Sequence, residues 1–120
     1  MKRIVIVDDD PQMGRLLKIL FELEGYEVFV ARQYGDILPT IREAQPDVVL
    51  MDVRVQGKET FHLLRELRQD KALAHIPVVM TSGMNCQQEC LEAGANRFVL
   101  KPFVPDEMVR VVDSLVGVAG

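Results

Sequence analysis

The chain has 120 residues, 48% of them apolar, and a formal net charge of −4, which predicts one packed globular domain over residues 1–120 and argues against disorder. The acidic balance provides no basic surface for direct nucleic-acid binding, and no apolar run is long enough to cross a membrane. Because Cys86 and Cys90 are too few for a disulfide framework and no signal-peptide pattern follows Met1, we expect a cytoplasmic protein.

Five short β-branched runs alternate with helical patterns along the chain. The predicted strands are residues 3–8, 27–31, 47–52, 76–81 and 97–100. Four of them contain nearly continuous apolar runs (IVIV, VVLM, IPVVM and FVL), as expected for parallel strands that are covered on both faces. Five consecutive βα units predict an α/β fold of the flavodoxin-like, doubly wound (βα)5 class, with a five-stranded parallel sheet of order 2-1-3-4-5.

The helical segments show apolar spacing and end signals. The i, i+3, i+4, i+7 spacing predicts one buried face on the first and fifth helices, formed by Met13, Leu16, Leu17 and Leu20 and by Met108, Val111, Val112 and Leu115. Gly25 and Gly94 mark the ends of the first and fourth helices. Pro39 lies within the second helical pattern, so that helix either starts late, with Pro39 in its first turn, or is irregular.

Polar side chains collect at the carboxyl ends of the predicted strands. Asp8 and Asp9 end strand one, Asp52 ends strand three, Thr81 ends strand four, and Lys101 follows strand five. Open α/β sheets form their sites at these ends, where the strand order reverses, which here lies between strands one and three. We therefore expect the three acids to converge in one crevice beside the threonine and the lysine.

Three carboxylates in one crevice cannot all remain ionised without a counter-charge, and one lysine supplies too little. A Mg²⁺ ion bound by these oxygen ligands would supply the missing positive charge. Asp10 has a different role, because it precedes Pro11 and reads as the N-cap of the first helix. Any one acid taken alone is more often an ordinary solvated loop residue, but the combination at matching strand ends favours a site.

At these residues the chain resembles, from one end to the other, the receiver domain of bacterial two-component response regulators. The resemblance rests on four motifs, VDDD (7–10), VVLMDVR (48–54), VVMTSG (78–83) and EAGANRFVLKPF (92–103). It implies that Asp52 accepts a phosphoryl group from a histidine kinase or a histidine phosphotransfer protein. It also implies that Mg²⁺ is bound by Asp9, Asp52 and the backbone carbonyl of Arg54, with Asp8 acting mainly through a water.

The resemblance further implies that Lys101 neutralises one phosphoryl oxygen and that the Thr81 hydroxyl donates to another. Phe98 stands where receivers carry the aromatic switch residue. Phosphorylation would then change the surface of the fourth helix, fifth strand and fifth helix, and so control a downstream domain or partner. Such a domain is a switch that assists its own phosphorylation and dephosphorylation, not a turnover enzyme, and this surface is also a candidate for homodimerisation.

The chain departs from the receiver pattern at three places. Gln56 occupies the position of a usual proline, and Thr60 the position of a common glycine, so we expect a loop of different stiffness after Asp52. The stretch 81–94 is about two residues shorter than is typical of receivers, which predicts an altered, mobile fourth-helix region. The resemblance also implies that the Lys101–Pro102 bond is cis.

Two other functions compete with the phosphorylated switch. An aspartate-nucleophile phosphatase would typically carry a second acid two residues after the nucleophile, where this chain has Arg54. A receiver-like scaffold that binds partners without being phosphorylated remains an alternative. The side chain of Arg54 itself is either a solvated loop charge or reaches the phosphoryl group and alters dephosphorylation.

Several residues admit a structural and a functional interpretation. Cys86 and Cys90 read as core residues of the fourth helix rather than as a redox pair. Three of the valines in the last helix form either a dimerisation patch or part of the core, namely Val109, Val112 and Val116. Because the chain ends at SLVGVAG, it is either a stand-alone regulator or the first part of a longer one.

Overall fold

The computed structural model describes residues 1–116 of the chain. Its elements are β1 (Lys2–Val7), α1 (Pro11–Leu23), β2 (Tyr26–Ala31), α2 (Ile37–Ala44), β3 (Val48–Asp52), β4 (Arg54–Val55), β5 (Lys58–Glu59), α3 (Phe61–Gln69), β6 (Val78–Ser82), α4 (Gln87–Ala93), β7 (Arg97–Leu100) and α5 (Pro105–Val116). No helix among the described residues is long and apolar enough to cross a membrane.

Five strands form one parallel sheet of order β2-β1-β3-β6-β7. The predicted order 2-1-3-4-5 is confirmed, because β6 and β7 are the fourth and fifth predicted strands. The sequence did not predict β4 and β5, which form a separate two-stranded antiparallel hairpin directly after β3. The strand order reverses between β1 and β3, which is where the crevice at the carboxyl ends of the strands was predicted.

The sheet is covered on both faces by apolar side chains. Along β1, Val5 and Val7 belong to one buried cluster, and Ile4 and Ile6 belong to the cluster on the opposite face. β3 and β6 alternate in the same way, so the prediction of buried parallel strands is confirmed for the three central strands. It holds only in part for the edge strand β7, whose Phe98 and Val99 are half-buried against opposite clusters while Leu100 is 48% exposed.

The buried faces predicted for the first and fifth helices, α1 and α5, are observed with one exception. In α1 the buried residues are Gly14, Leu17 and Phe21, and the prediction that Leu16 lies on this face is wrong, because 49% of it is exposed. In α5 the prediction of a buried face holds, with Met108, Val109 and Val112 buried. Val116 is half-buried against the same cluster. Val109, Val112 and Val116 therefore pack into or against the core, rather than forming an exposed patch.

The helix ends follow the local signals in the sequence. The Asp10 carboxylate accepts the backbone N–H of Gln12 at 2.9 Å, which confirms it as the N-cap of α1. Gly25 follows α1 with φ +92°, and Gly94 ends α4 with φ +117°, both in the left-handed region that favours glycine. Pro39 lies in the first turn of α2, so the late-start alternative is confirmed.

The fourth helix, α4, has seven residues. Cys86 precedes this helix and Cys90 is fully buried, with the two sulfur atoms 3.8 Å apart. Burial, together with the neighbouring Cys86, raises the pKa of the Cys90 thiol to about 12. A thiol of this kind behaves as a core residue rather than as a reactive thiolate. The Lys101–Pro102 peptide bond is cis, as the resemblance implied.

Candidate functional site

Three carboxylates meet at the carboxyl ends of β1 and β3. One oxygen each of Asp8, Asp9 and Asp52 lies within 4.8 Å of the others. Asp8 and Asp9 directly follow β1, and Asp52 is the last residue of β3, the strand paired with β1. The structure therefore brings the three acids together, as the strand-end argument predicted.

Lys101 supplies the positive charge of the crevice. Its Nζ atom donates to Asp52 Oδ2 at 2.8 Å and lies 3.5 Å from Asp8 Oδ2. Burial works to lower the pKa of Lys101, but the hydrogen bond and the charge of Asp52, supported by Asp8, outweigh burial and raise it. The ammonium therefore stays charged beside the acids.

Asp8 is the acid that the fold buries most, with 2% of the residue exposed. Burial raises the pKa of its carboxyl group, and the negative charge of Asp52 adds to this effect. The backbone N–H of Asp10, which donates to Asp8 at 2.9 Å, and the charge of Lys101 oppose the rise without cancelling it. Three carboxylates thus share one ammonium in this crevice, and an excess of negative charge of this kind favours a bound cation.

Asp52 is accessible from solvent, with 14% of its side chain exposed. Its Oδ2 atom accepts the Lys101 ammonium, and its Oδ1 atom accepts the backbone N–H of Arg54 at 3.3 Å. A carboxylate in this setting is a competent nucleophile towards phosphorus. The carboxylate oxygens of the three acids fit Mg²⁺ in composition, and the Arg54 backbone carbonyl as a further ligand stays a prediction.

Neither Thr81 nor Phe98 directs a side-chain hydrogen bond at Asp52. Thr81 pairs with Asp52 across β3 and β6, but its hydroxyl donates to the backbone carbonyl of Val99 at 2.7 Å. Phe98 pairs with Met80 across β6 and β7 and packs against one of the buried clusters. The roles of both residues as switch residues stay predictions.

The Arg54 side chain turns away from the acids into the hairpin of β4 and β5. Its guanidinium donates to the Gly57 carbonyl at 3.3 Å and lies 3.7 Å from the Glu59 carboxylate. More than half of the side chain, 61%, is exposed. This arrangement agrees with the solvated-charge interpretation of Arg54 and leaves the phosphoryl-contact interpretation a prediction.

Two residues that contact the acids were noticed in the sequence only as departures from the receiver pattern. The Gln56 backbone N–H donates to Asp9 Oδ2 at 2.8 Å. The Thr60 hydroxyl, which is fully buried, lies 2.8 Å from the backbone carbonyl of Asp52. Neither contact has a signal in the sequence beyond a polar residue at an unusual position, because both depend on how the loop after β3 folds.

Comparison with known proteins places the chain among signalling proteins. A family model for the response regulator receiver domain matches residues 4–113. The DNA-binding response regulator MtrA of Mycolicibacterium smegmatis is 35% identical over 114 residues, which cover 92% of this chain and 49% of that protein. MtrA of Mycobacterium tuberculosis is 33% identical with the same coverage. The chain thus spans about half the length of the curated relatives that it matches.

Solved structures match over nearly the whole chain. The signal receiver domain of a signal transduction histidine kinase from Syntrophus aciditrophicus is 26% identical, with a TM-score of 0.87 over 98% of this chain and 91% of that one. The receiver domain of the sensor histidine kinase PA1611 from Pseudomonas aeruginosa is 24% identical, with a TM-score of 0.86 over 97% of this chain and 98% of that one. That structure has a magnesium ion coordinated in its active site cleft.

Proposed function

Since the chain belongs to the response regulator receiver domain family, we propose that Asp52 accepts a phosphoryl group and that this phosphorylation controls the domain as a switch. The observation that carries the proposal is the position of Asp52, whose carboxylate lies 2.8 Å from Lys101 and within 4.8 Å of two further acids. A receiver domain is a signalling domain rather than a turnover enzyme, and this cluster argues against a scaffold that is never phosphorylated.

The acids would hold Mg²⁺ together with the backbone carbonyl of Arg54. The proposal is supported by the three carboxylates, which offer hard oxygen atoms within 4.8 Å of one another, and by the single lysine that faces them. When bound, the metal would neutralise negative charge on the phosphoryl oxygens during transfer. Asp9 and Asp52 are the direct carboxylate ligands in this proposal, and Asp8 acts through a water.

In the proposed reaction, a carboxylate oxygen of Asp52 attacks the phosphorus of a phosphohistidine on a kinase or phosphotransfer protein. The new P–O bond forms as the P–N bond breaks, and the imidazole leaves with the electron pair of that bond and takes up a proton. Lys101 is positioned to stabilise charge on the transferring group. The domain would assist its own phosphorylation and dephosphorylation through these same residues.

The added charge on Asp52, about −1.5 to −2 at neutral pH, gives the switch its driving force. It attracts the Thr81 hydroxyl, which would leave the carbonyl of Val99 and donate to the phosphoryl group. Phe98 would then move into the space beside β6 and change the surface formed by α4, β7 and α5. The phosphoryl group thereby favours one of two packings of this surface.

The proposed switch has one partner that acts before phosphorylation and another that acts after it. A sensor histidine kinase or phosphotransfer protein supplies the phosphoryl group, and an effector domain or separate protein reads the surface of α4, β7 and α5. Because the matched relatives are DNA-binding response regulators of about twice this length, an attached effector domain is one form of this output. A homodimer through the same surface is another.

The proposal is tested by incubating the protein with Mg²⁺ and acetyl phosphate and measuring its intact mass. We expect a gain of one phosphoryl group, which chelation of the metal abolishes. The gain should be absent from Asp52→Asn and unchanged in Asp36→Asn, which alters an exposed carboxylate outside the crevice. No gain in the unaltered protein, or a gain that persists in Asp52→Asn, would refute the proposal.

A further inference from the structure

The loop after Asp52 is an ordered β-hairpin. Arg54 pairs with Glu59 and Val55 pairs with Lys58 in antiparallel register. The two residues between the strands, Gln56 and Gly57, have φ values of +52° and +77°, as a type I′ turn requires. Val55 is fully buried, so the hairpin is anchored in the core rather than being loosely attached.

Gln56 joins this hairpin to two other loops at the same edge of the sheet. Its backbone N–H donates to Asp9 Oδ2 at 2.8 Å, across 47 positions of sequence. Its side-chain Oε1 accepts the backbone N–H of Tyr34 at 2.8 Å. Lys58, on the next strand of the hairpin, places its ammonium 5.0 Å from the centre of the Tyr34 ring. Both loops therefore hold the hairpin tip in place.

Asp9 depends on this contact for its orientation. Unlike Asp8, it is exposed, so the protein does not restrict its side chain by packing. In the part of the chain that the structure describes, the Gln56 N–H is the one hydrogen-bond partner of its carboxylate. The hydrogen bond uses one carboxylate oxygen and leaves the other available to a ligand. A carboxylate fixed in this way loses less conformational entropy when a cation binds.

We propose that Gln56 is a positioning residue for cation binding, because its backbone N–H holds the Asp9 carboxylate towards Asp8 and Asp52. This inference rests on the proposed function, in which these acids bind Mg²⁺. It is specific to the backbone at position 56, since a proline there has no N–H and cannot adopt φ +52°. The Gln56 side chain has a supporting role through Tyr34.

The test is a calorimetric titration of the unphosphorylated protein with Mg²⁺, comparing Gln56→Pro with Gln56→Gly. Glycine keeps the N–H and tolerates the positive φ, so we expect its dissociation constant to remain within about twofold of the unaltered protein. Proline removes the donor, and loss of a partner of a ligating group typically weakens metal binding by about 10- to 100-fold. We expect about tenfold, at the low end, because Asp9 is exposed.

If the proline variant does not fold, a second measurement tests the hydrogen bond between the Gln56 N–H and Asp9. In the metal-free protein, the NMR resonance of the Gln56 amide proton should move upfield and its exchange with solvent should accelerate in Asp9→Ala. An unmoved amide resonance, equal Mg²⁺ affinity of the proline and glycine variants, or no Mg²⁺ binding by the unaltered protein would overturn the inference. Neither measurement involves phosphoryl transfer, so a protein that binds Mg²⁺ as expected but is not phosphorylated would count against the proposed function alone.

Discussion

Thr60 supports the backbone around Asp52 from within the core. Its hydroxyl lies 2.8 Å from the carbonyl of Asp52 and 3.1 Å from the carbonyl of Val53. Its own N–H donates to the same Val53 carbonyl at 2.8 Å. A single threonine thus closes the base of the hairpin and holds the peptide that carries the proposed phosphoacceptor.

Two substitutions at Thr60 distinguish the effect of its side-chain volume from the effect of its hydroxyl group. Thr60→Val keeps the volume but removes the donor, so we expect the free energy of unfolding in urea to fall by about 1 kcal/mol. We also expect slower phosphorylation by acetyl phosphate, because the backbone beside Asp52 loses a constraint. Thr60→Ser is the matched control, since it keeps the hydroxyl and should be phosphorylated faster than the valine variant. Equal rates for the two variants would show that the hydroxyl does not position Asp52.

At the scale of secondary-structure elements, Arg68 joins the end of α3 to the end of α4 and the start of β6. Its guanidinium donates to the backbone carbonyls of Gly94 at 2.9 Å and Ile76 at 2.7 Å, and to the Asn96 side chain at 2.9 Å. A methyl group added at Gly94 would lie 2.8 Å from Arg68 Cγ. The turn after α4 therefore requires glycine for two reasons, its positive φ and the arginine packed against it.

Substituting alanine for Gly25 and for Gly94 should distinguish the cost of a positive φ from the cost of the contact with Arg68. Gly25 has φ +92° with open space around it, whereas Gly94 combines φ +117° with the arginine contact. We expect Gly25→Ala to lower the free energy of unfolding by about 1–2 kcal/mol and Gly94→Ala to lower it by more. In the background of Arg68→Ala, the cost of Gly94→Ala should fall towards that of Gly25→Ala. Equal costs of Gly94→Ala in both backgrounds would exclude the packing contribution.

At the scale of the whole molecule, Tyr26 ties the first strand pair to the last helix. Its hydroxyl donates to the carboxylate of Asp113 in α5, and its ring packs edge-on against Phe21 in α1 with the centroids 5.3 Å apart. The Lys2 ammonium lies 4.6 Å from the ring centre. Residues from β1, β2, α1 and α5 therefore meet at one tyrosine, so its protonation state affects the stability of the domain.

Burial, followed by the hydrogen bond to Asp113, raises the pKa of Tyr26 above its ordinary value of 10.0. The folded protein thus retains the phenol proton at a pH where the unfolded chain loses it. This contribution to stability is fully present below pH 10.0 and is lost as the pH rises from there towards the raised pKa. We expect Tyr26→Phe to be about 1 kcal/mol less stable in urea at neutral pH. The difference should narrow about one pH unit above the ordinary tyrosine pKa of about 10, and a constant difference would contradict this interpretation.

The sequence by itself determined the five-stranded order, the capped start of α1 and the meeting of Asp8, Asp9 and Asp52. These features follow from local signals: apolar period, capping residues and the position of a polar residue at a strand end. General rules of parallel sheets convert them into a topology and a shared edge. The functional roles of the acids remain predictions that phosphorylation and Mg²⁺ binding will test.

Only the tertiary structure decided which groups actually touch at that edge. The hairpin at 54–59, the contact of Gln56 with Asp9 and the hydroxyl of Thr81 on Val99 depend on loop conformation and on partners that lie far apart in the sequence. The exposure of Leu16 likewise depends on the rotation of α1 on the sheet. A sequence pattern reports the environment that a side chain prefers, but a hydrogen bond forms only where the packed backbone brings a donor and an acceptor within about 3 Å.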